Sequence, residues 1–179
     1  MMNAACSEPR REARNGNKVP ETQLPANAFV PDPDTLRVED DFARSPFLLD
    51  SISFAGVHKL MGPNVQVKKI PTRNHFVANQ TDTLITLHKN GSFITLYPVS
   101  AEPKCFFKEA AINDPLPIFQ NHLKIGQRKA EVKKLFPALN RASYLPDNIE
   151  IAAAEGADYV YLIFKNDVLQ RIDFKPYLD

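Results

Sequence analysis

Glycoside hydrolysis needs two carboxyl groups held about 5 to 10 Å apart, one to give a proton and one to attack or to activate water. Glu150, Glu155, Asp158 and Asp173 are of the right type to supply such a pair. Sequence does not give the distance between any two of them, and Asp158 has a plainer use at the entrance to a strand. There is no GxSxG, P-loop or GxGxxG motif, and six glycines leave little for a loop whose backbone amides wrap a phosphate. His58, His75, His88 and His122 show neither HxH nor HxxxH spacing, so the sequence predicts no metal site. No cofactor is expected and no catalytic residue set stands out. The chain is read as non-enzymatic, with a small hydrolase as the alternative.

Composition narrows the partners. A net charge of +1 over 179 residues removes the electrostatic case for nucleic acid, since no Lys/Arg stripe is interleaved with stacking aromatics. The pairs Lys68-Lys69 and Lys133-Lys134 read as solvated faces. No apolar run approaches the roughly 18 residues of a membrane span. A hydrophobic content of 44% is enough for a packed core.

The elements that must carry any site are two hairpins. Asp82 to Pro98, DTLITLHKNGSFITLYP, and Asp158 to Phe174, DYVYLIFKNDVLQRIDF, align without a gap at an offset of 76 residues, so that Asp158, Lys165 and Asn166 fall on Asp82, Lys89 and Asn90. Asn90-Gly91 suits a two-residue type I′ turn, and Asn166-Asp167 is its weaker counterpart. Counting outward from the turns pairs Leu87 with Ile94 and Ile85 with Leu96 on one face, against His88 with Phe93 and Thr86 with Thr95 on the other. The same count places Ile163 opposite Gln170, Tyr161 opposite Ile172 and Tyr159 opposite Phe174. Phe164 with Leu169, Leu162 with Arg171 and Val160 with Asp173 then make the second face. In both hairpins the first of these faces is expected to lie under a helix.

Those helices are sought upstream of each hairpin. Asp50 or Ser51 caps a predicted helix through Ile52, Phe54, Val57, Leu60 and Met61, ended by Gly62-Pro63. In the second unit, Ala130, Val132, Leu135 and Phe136 form the apolar stripe of a helix that Pro137 stops. Sliding by 75 residues sets Val132, Lys134 and Leu135 on Val57, Lys59 and Leu60. A helix and a hairpin recurring in one order at nearly one spacing predicts a duplicated unit. Val65 to Ile70 and Arg73 to Ala78 read as strands separated by Pro71, Lys104 to Ile112 as another, and Ile149 to Ala154 as one more, while Asp114-Pro115-Leu116-Pro117 must be loop.

The expected fold class is therefore α+β. It consists of two tandem helix-plus-antiparallel-meander repeats, 36–103 and 104–179, forming one curved sheet with helices on one face. Residues 1–35 hold five of the fifteen prolines and almost no apolar periodicity, and read as a disordered tether. Small residues precede Cys6 and a polar linker follows it, as at the end of a bacterial lipoprotein signal. If the true start lies upstream, Cys6 carries a lipid; otherwise this is an ordinary cytoplasmic tail. A Cys6–Cys105 disulfide is not expected, and Cys105 is placed in the core beside Phe106 and Phe107.

Ile125-Gly126, then Glu131-Val132, then the apolar pair Leu135-Phe136 and a turn ahead of a three-stranded meander resemble the repeat of the β-lactamase-inhibitor-protein-like superfamily, whose relatives include small outer-membrane-assembly lipoproteins. In the first unit the matching residues are Val57, Leu60, Met61 and Gly62. The resemblance implies helices on one side of a curved sheet, an open face on the other, and a binder without catalytic residues. It also implies secretion, with lipidation at Cys6 and a periplasmic or outer-membrane location.

The face turned away from the predicted helices is the candidate site. Thr86, His88, Phe93, Thr95 and Tyr97 from the first unit, with Phe164, Arg171 and Asp173 from the second, mix aromatics and an arginine with small polar groups, as interface hot spots do. The competing expectation is that residues 99–122, with Phe106, Phe107 and Phe119, fold over this face and bury it. The partner is expected to be a protein, bound by an inhibitor, immunity or assembly factor of the cell envelope. A cytoplasmic adaptor is the alternative. Nucleic acid is excluded, and a membrane is reached only through the lipid on Cys6.

Overall fold

Two tight turns each join a pair of neighbouring antiparallel strands, Thr81–Lys89 with Ser92–Pro98 and Tyr159–Lys165 with Val168–Lys175. At the second, Asn166 and Asp167 have φ of 53° and 67°, the type I′ pattern that suits the twist of the flanking strands. At the first, Asn90 has φ 51° but Gly91 lies outside the left-handed region, so that turn departs from the expected type I′. Tertiary ties account for the departure. The Asn113 side-chain amide donates to the Gly91 carbonyl at 2.6 Å, and the Ser92 hydroxyl donates to Asp114 at 2.7 Å.

The computed structural model describes residues 34–74, 77–100, 104–154 and 158–177. Cys6, the expected tether up to residue 33, His75 and Glu155 lie outside the described residues. The described chain is an α+β fold with one mixed, open eight-stranded sheet and two helices. In chain order the strands are β1 (Leu36–Glu39), β2 (Gln66–Arg73), β3 (Thr81–Lys89), β4 (Ser92–Pro98), β5 (Cys105–Ile112), β6 (Asn148–Ala152), β7 (Tyr159–Lys165) and β8 (Val168–Lys175). The helices are α1 (Phe54–Met61), before β2, and α2 (Lys129–Leu135), before β6. Across the sheet the order is β1-β6-β7-β8-β5-β4-β3-β2. Every neighbour is antiparallel except β1 with β6. The stretch 36–39, expected at the head of the first unit, thus lies at the edge opposite β2.

Local signals explain most element ends. Ser53, not Asp50 or Ser51, caps α1, its hydroxyl accepting the Gly56 amide at 3.1 Å, so Ile52 falls outside the helix. Gly62 ends α1 at φ 80°, where a side chain would be strained. The Glu131 carboxylate reaches back to the Arg128 amide at 2.7 Å and closes the first turn of α2. Pro71 does not split β2 into two strands. It is tolerated because β2 is an edge strand, where a missing N–H need face no neighbour.

The core decides the rest. Val57 and Met61 of α1 and Val132 with Phe136, just past α2, are buried with Leu87, Ile94, Leu96, Phe107, Leu162, Leu169 and Ile172. Ala130, expected in the stripe of α2, is exposed instead, because Lys129 takes the inward-leaning position and bonds the Leu145 carbonyl at 2.9 Å. Aromatic rings fill the middle: Phe47 lies 4.6 Å from Phe107, 5.2 Å from Phe119 and 5.5 Å from Phe174 between centroids. Phe107 and Phe119 therefore belong to this core and do not cover the other side of the sheet, which corrects that expectation for these two rings. Cys105 is a free thiol packed against the same core, and burial pushes its pKa up.

The first hairpin pairs as counted, Leu87 with Ile94, Ile85 with Leu96, His88 with Phe93 and Thr86 with Thr95. The second does not. Phe164 pairs with Leu169 but Ile163 pairs with Arg171, leaving Gln170 as a bulge, and beyond it Leu162 meets Ile172, Tyr161 meets Asp173 and Tyr159 meets Lys175. One extra residue lets Leu169, Ile172 and Phe174 all turn to the core, which a regular strand would forbid since 169 and 172 differ in parity. Regular alternation along β7 leaves Tyr161 on the face opposite Val160 and Leu162, so it is not the counterpart of Ile85.

Candidate functional site

The pleat sends alternate side chains away from the core, and register lines them up across strands. One transverse row crosses the whole sheet: Arg37 is opposite Glu150, Glu150 opposite Tyr161, Tyr161 opposite Asp173 and Asp173 opposite Ala111. The row continues with Ala111 opposite Phe93, Phe93 opposite His88 and His88 opposite Gln66. Beside it stand Tyr159, Lys175, Thr95, Thr86 and Lys68, and at the end of β5 Phe106 pairs with Tyr97.

Most of the predicted face is brought together. Thr86, His88, Phe93, Thr95 and Tyr97 share it with Arg171 and Asp173. Phe164 is the exception: it is 3% exposed, in the core, with the Lys129 ammonium 5.7 Å from its ring centroid. Its side follows from the regular alternation of β7, in which Val160, Leu162 and Phe164 all turn to the core, and not from the bulge on the facing strand. The same alternation puts Tyr159 and Tyr161 on the outer face, where counting from the turn did not place them. Glu150, Arg37, Lys175 and Phe106 were also missed. For Glu150 the signal was the strict alternation in Asn148–Ala152, with Ile149 and Ile151 inward; Cys105–Ile112 is bulged at Lys108, so Phe107, Ala110 and Ile112 all turn inward and periodicity did not single out Phe106.

The two ends of this face differ in chemistry. Around Tyr161, Arg37 lies 3.4 Å from Glu150, Arg171 bonds Asp173 at 2.7 Å, and the Lys175 ammonium sits 5.7 Å from the Tyr161 ring. Tyr159 and Tyr161 are stacked at 6.3 Å. Burial, and then the Glu150 charge, push the Tyr161 phenol up to about 12. At the other end His88 leans on Phe93 at 5.9 Å, and the Thr86 and Thr95 hydroxyls bond at 3.2 Å. Phe106 is 38% exposed and His88 is exposed.

Tyr97 has a structural task. Its hydroxyl donates to Asp82, which also accepts from Asn74 at 2.8 Å, Ser100 at 2.7 Å and Gln80 at 3.3 Å. The Tyr97 bond, then that of Ser100, hold the Asp82 carboxyl below the usual carboxylate range, and the same contact raises the phenol of Tyr97. Asp82 is 1% exposed, so these donors replace its lost water.

The carboxylates considered for hydrolysis are otherwise engaged. Glu150 and Asp173 flank Tyr161 on adjacent strands, about 10 Å apart by strand spacing, and each faces a guanidinium. Asp158 accepts the Tyr177 amide at 3.0 Å. A hollow of about 730 Å³ opens between Asp34, Tyr144 and Asp147, away from every predicted site residue, and Asp147 there is bonded to Lys129 at 2.7 Å. Among the described residues no three His, Cys, Asp or Glu are grouped to hold a metal ion, and no helix is long and apolar enough to cross a membrane. No family model, characterised protein or solved structure matches the chain.

Proposed function

We propose that this is a non-enzymatic envelope protein that binds another protein through the outer face of its sheet. On this reading the chain is a tandem of two units, α1-β2-β3-β4 and α2-β6-β7-β8, with both helices over one face and the other face left for the partner. A helix followed by three antiparallel strands occurs twice in the chain, and each hairpin opens on an aspartate that bonds the chain beyond its last strand, Asp82 to Ser100 and Asp158 to Tyr177. The observation that carries the binding reading is the exposed His88 leaning on half-buried Phe93, with the exposed Phe106 beside Tyr97 further along the same face as the half-exposed Arg171. Large aromatics and arginine are the residues that supply binding energy at protein interfaces.

The partner is an envelope protein met in the periplasm, with the chain held at a membrane by lipid on Cys6. A cytoplasmic adaptor with the same face is the second reading. The test is photo-crosslinking in the native host, with a benzophenone side chain placed at Phe93, at Phe106 or at exposed Tyr144 on a loop. One adduct shared by positions 93 and 106, missing at 144 and lost on Arg171→Glu, is expected. Equal labelling at all three positions overturns the reading. Fractionation of the Cys6→Ser chain separates the two compartments: loss of membrane association is expected for the lipidated form.

A further inference from the structure

The geometry points to a second interaction surface, the outer edge of β2, which takes an extended acidic segment of a partner protein as a ninth strand. It is independent of the face proposed above. Among the described residues β2 is paired on one side only, by β3, and seven of its eight residues are exposed.

Register shows which backbone groups point outward. In an antiparallel pair, alternate residues turn both N–H and C=O to the neighbour, and the residues between turn theirs away. The Asn74 amide donates to the Gln80 carbonyl at 3.0 Å, in the same register that pairs Thr72 with Asp82 and Ile70 with Leu84. Even-numbered residues of β2 therefore bond β3, and Val67, Lys69, Pro71 and Arg73 face outward. Pro71 fits this parity, having no N–H to give β3. The edge thus offers the N–H groups of Val67, Lys69 and Arg73 and four carbonyls, a ladder that only another polypeptide backbone can match.

Charge selects the kind of strand. Residues 51–100 hold five lysines and arginines, Lys59, Lys68, Lys69, Arg73 and Lys89, against one acid, Asp82, which is buried. This stretch of 50 residues carries +4 while the whole chain carries +1, which leaves −3 for the remainder. Val67 and Ile70, each 41% exposed, offer apolar contacts on the two sides of the strand. A second copy of β2 is disfavoured, because edge pairing would set Lys68 and Lys69 against their own copies. An acidic strand with apolar residues between its charges satisfies backbone, charge and contact together.

The test uses the full ¹⁵N-labelled chain and two synthetic peptides, acetyl-Thr-Glu-Val-Glu-Val-Glu-Thr-amide and its counterpart with Lys for Glu. The acidic peptide is expected to bind at least about tenfold more tightly in low salt, and to slow amide exchange at Val67 and Lys69 while leaving Ile70 unchanged. Val67→Pro, which removes an outward N–H at the parity Pro71 already occupies, should weaken binding with little change in Tm. The pair Lys68→Glu with Lys69→Glu should reverse the peptide preference. Equal affinity for both peptides, unchanged exchange at 67 and 69, or full binding by Val67→Pro overturns the proposal. So does binding to phosphatidylglycerol vesicles without binding to the acidic peptide, which would make the edge a lipid contact.

Discussion

The hairpins β3-β4 and β7-β8 carry matching turns, Lys89-Asn90 and Lys165-Asn166, yet they present opposite faces to the core when counted from the turn. In the first, Leu87, two residues before Lys89, is fully buried; in the second the buried residues are Phe164, one before Lys165, and then Leu162. A side-chain period of two makes one residue decisive. The backbone around the second turn is engaged from outside the hairpin: the Leu169 carbonyl accepts from Gly126 at 2.9 Å, and the Leu169 amide donates to Gln127 at 2.8 Å. Those bonds tie Leu169 to the approach to α2, and the bulge at Gln170 restores core parity beyond it. A turn motif fixes who is opposite whom only until the first bulge.

The largest expected effect breaks that compensation directly. Deleting Gln170 should force Ile172 and Phe174 off the core side and abolish cooperative unfolding, whereas Gln170→Ala should stay within about 0.5 kcal/mol of the parent. Urea denaturation followed by circular dichroism reads both, and a well-folded deletion would show that the bulge does not set the register. Next in size, Leu162→Ala should cost about 2 to 5 kcal/mol and Ile163→Ala clearly less. Counting from the turn predicts the reverse order, so the two variants measured side by side decide which parity is real.

The smallest effect concerns the aspartates that open the hairpins. Four donors hold Asp82 in its charged form, whereas Asp158 accepts from the Tyr177 amide. A carboxyl whose folded pKa is lowered adds stability above its unfolded value of 3.8, and that stability is lost as pH falls through the folded value. Asp82→Asn should therefore lower Tm at pH 7, and the gap from the parent should close below pH 4. Asp158→Asn should produce a smaller gap at pH 7. A gap for Asp82→Asn that persists unchanged to pH 2 would mean that shape, not charge, matters at this position.

Much of the architecture was legible before coordinates. Alternation exposed β3, β4 and β7, proline density marked the loop at 114–117, and Gly62 marked the end of α1, because each is set by a few neighbouring residues. The site was legible in its first half, where pairing from the turn placed Thr86, His88, Phe93 and Thr95 correctly. It failed at Phe164 and passed over Tyr159, Tyr161 and Glu150. Which side of β7 turns to the core depends on distant bonds such as those of Leu169 to Gly126 and Gln127, which leave no local signature, and neither does a bulge whose added residue is an ordinary polar one such as Gln170.

What the sequence determined alone was the class of fold, the presence of two hairpins and the mixed character of the strands, all consequences of short-range periodicity and turn stereochemistry. Only the tertiary structure decided which side of β7 and β8 faces water, that β1 closes the sheet beside β6, and that β2 is left as a basic edge. Those outcomes depend on backbone bonds and packing between segments tens of residues apart, and burial of Leu169, Ile172 and Phe174 outweighs the regularity of any single strand.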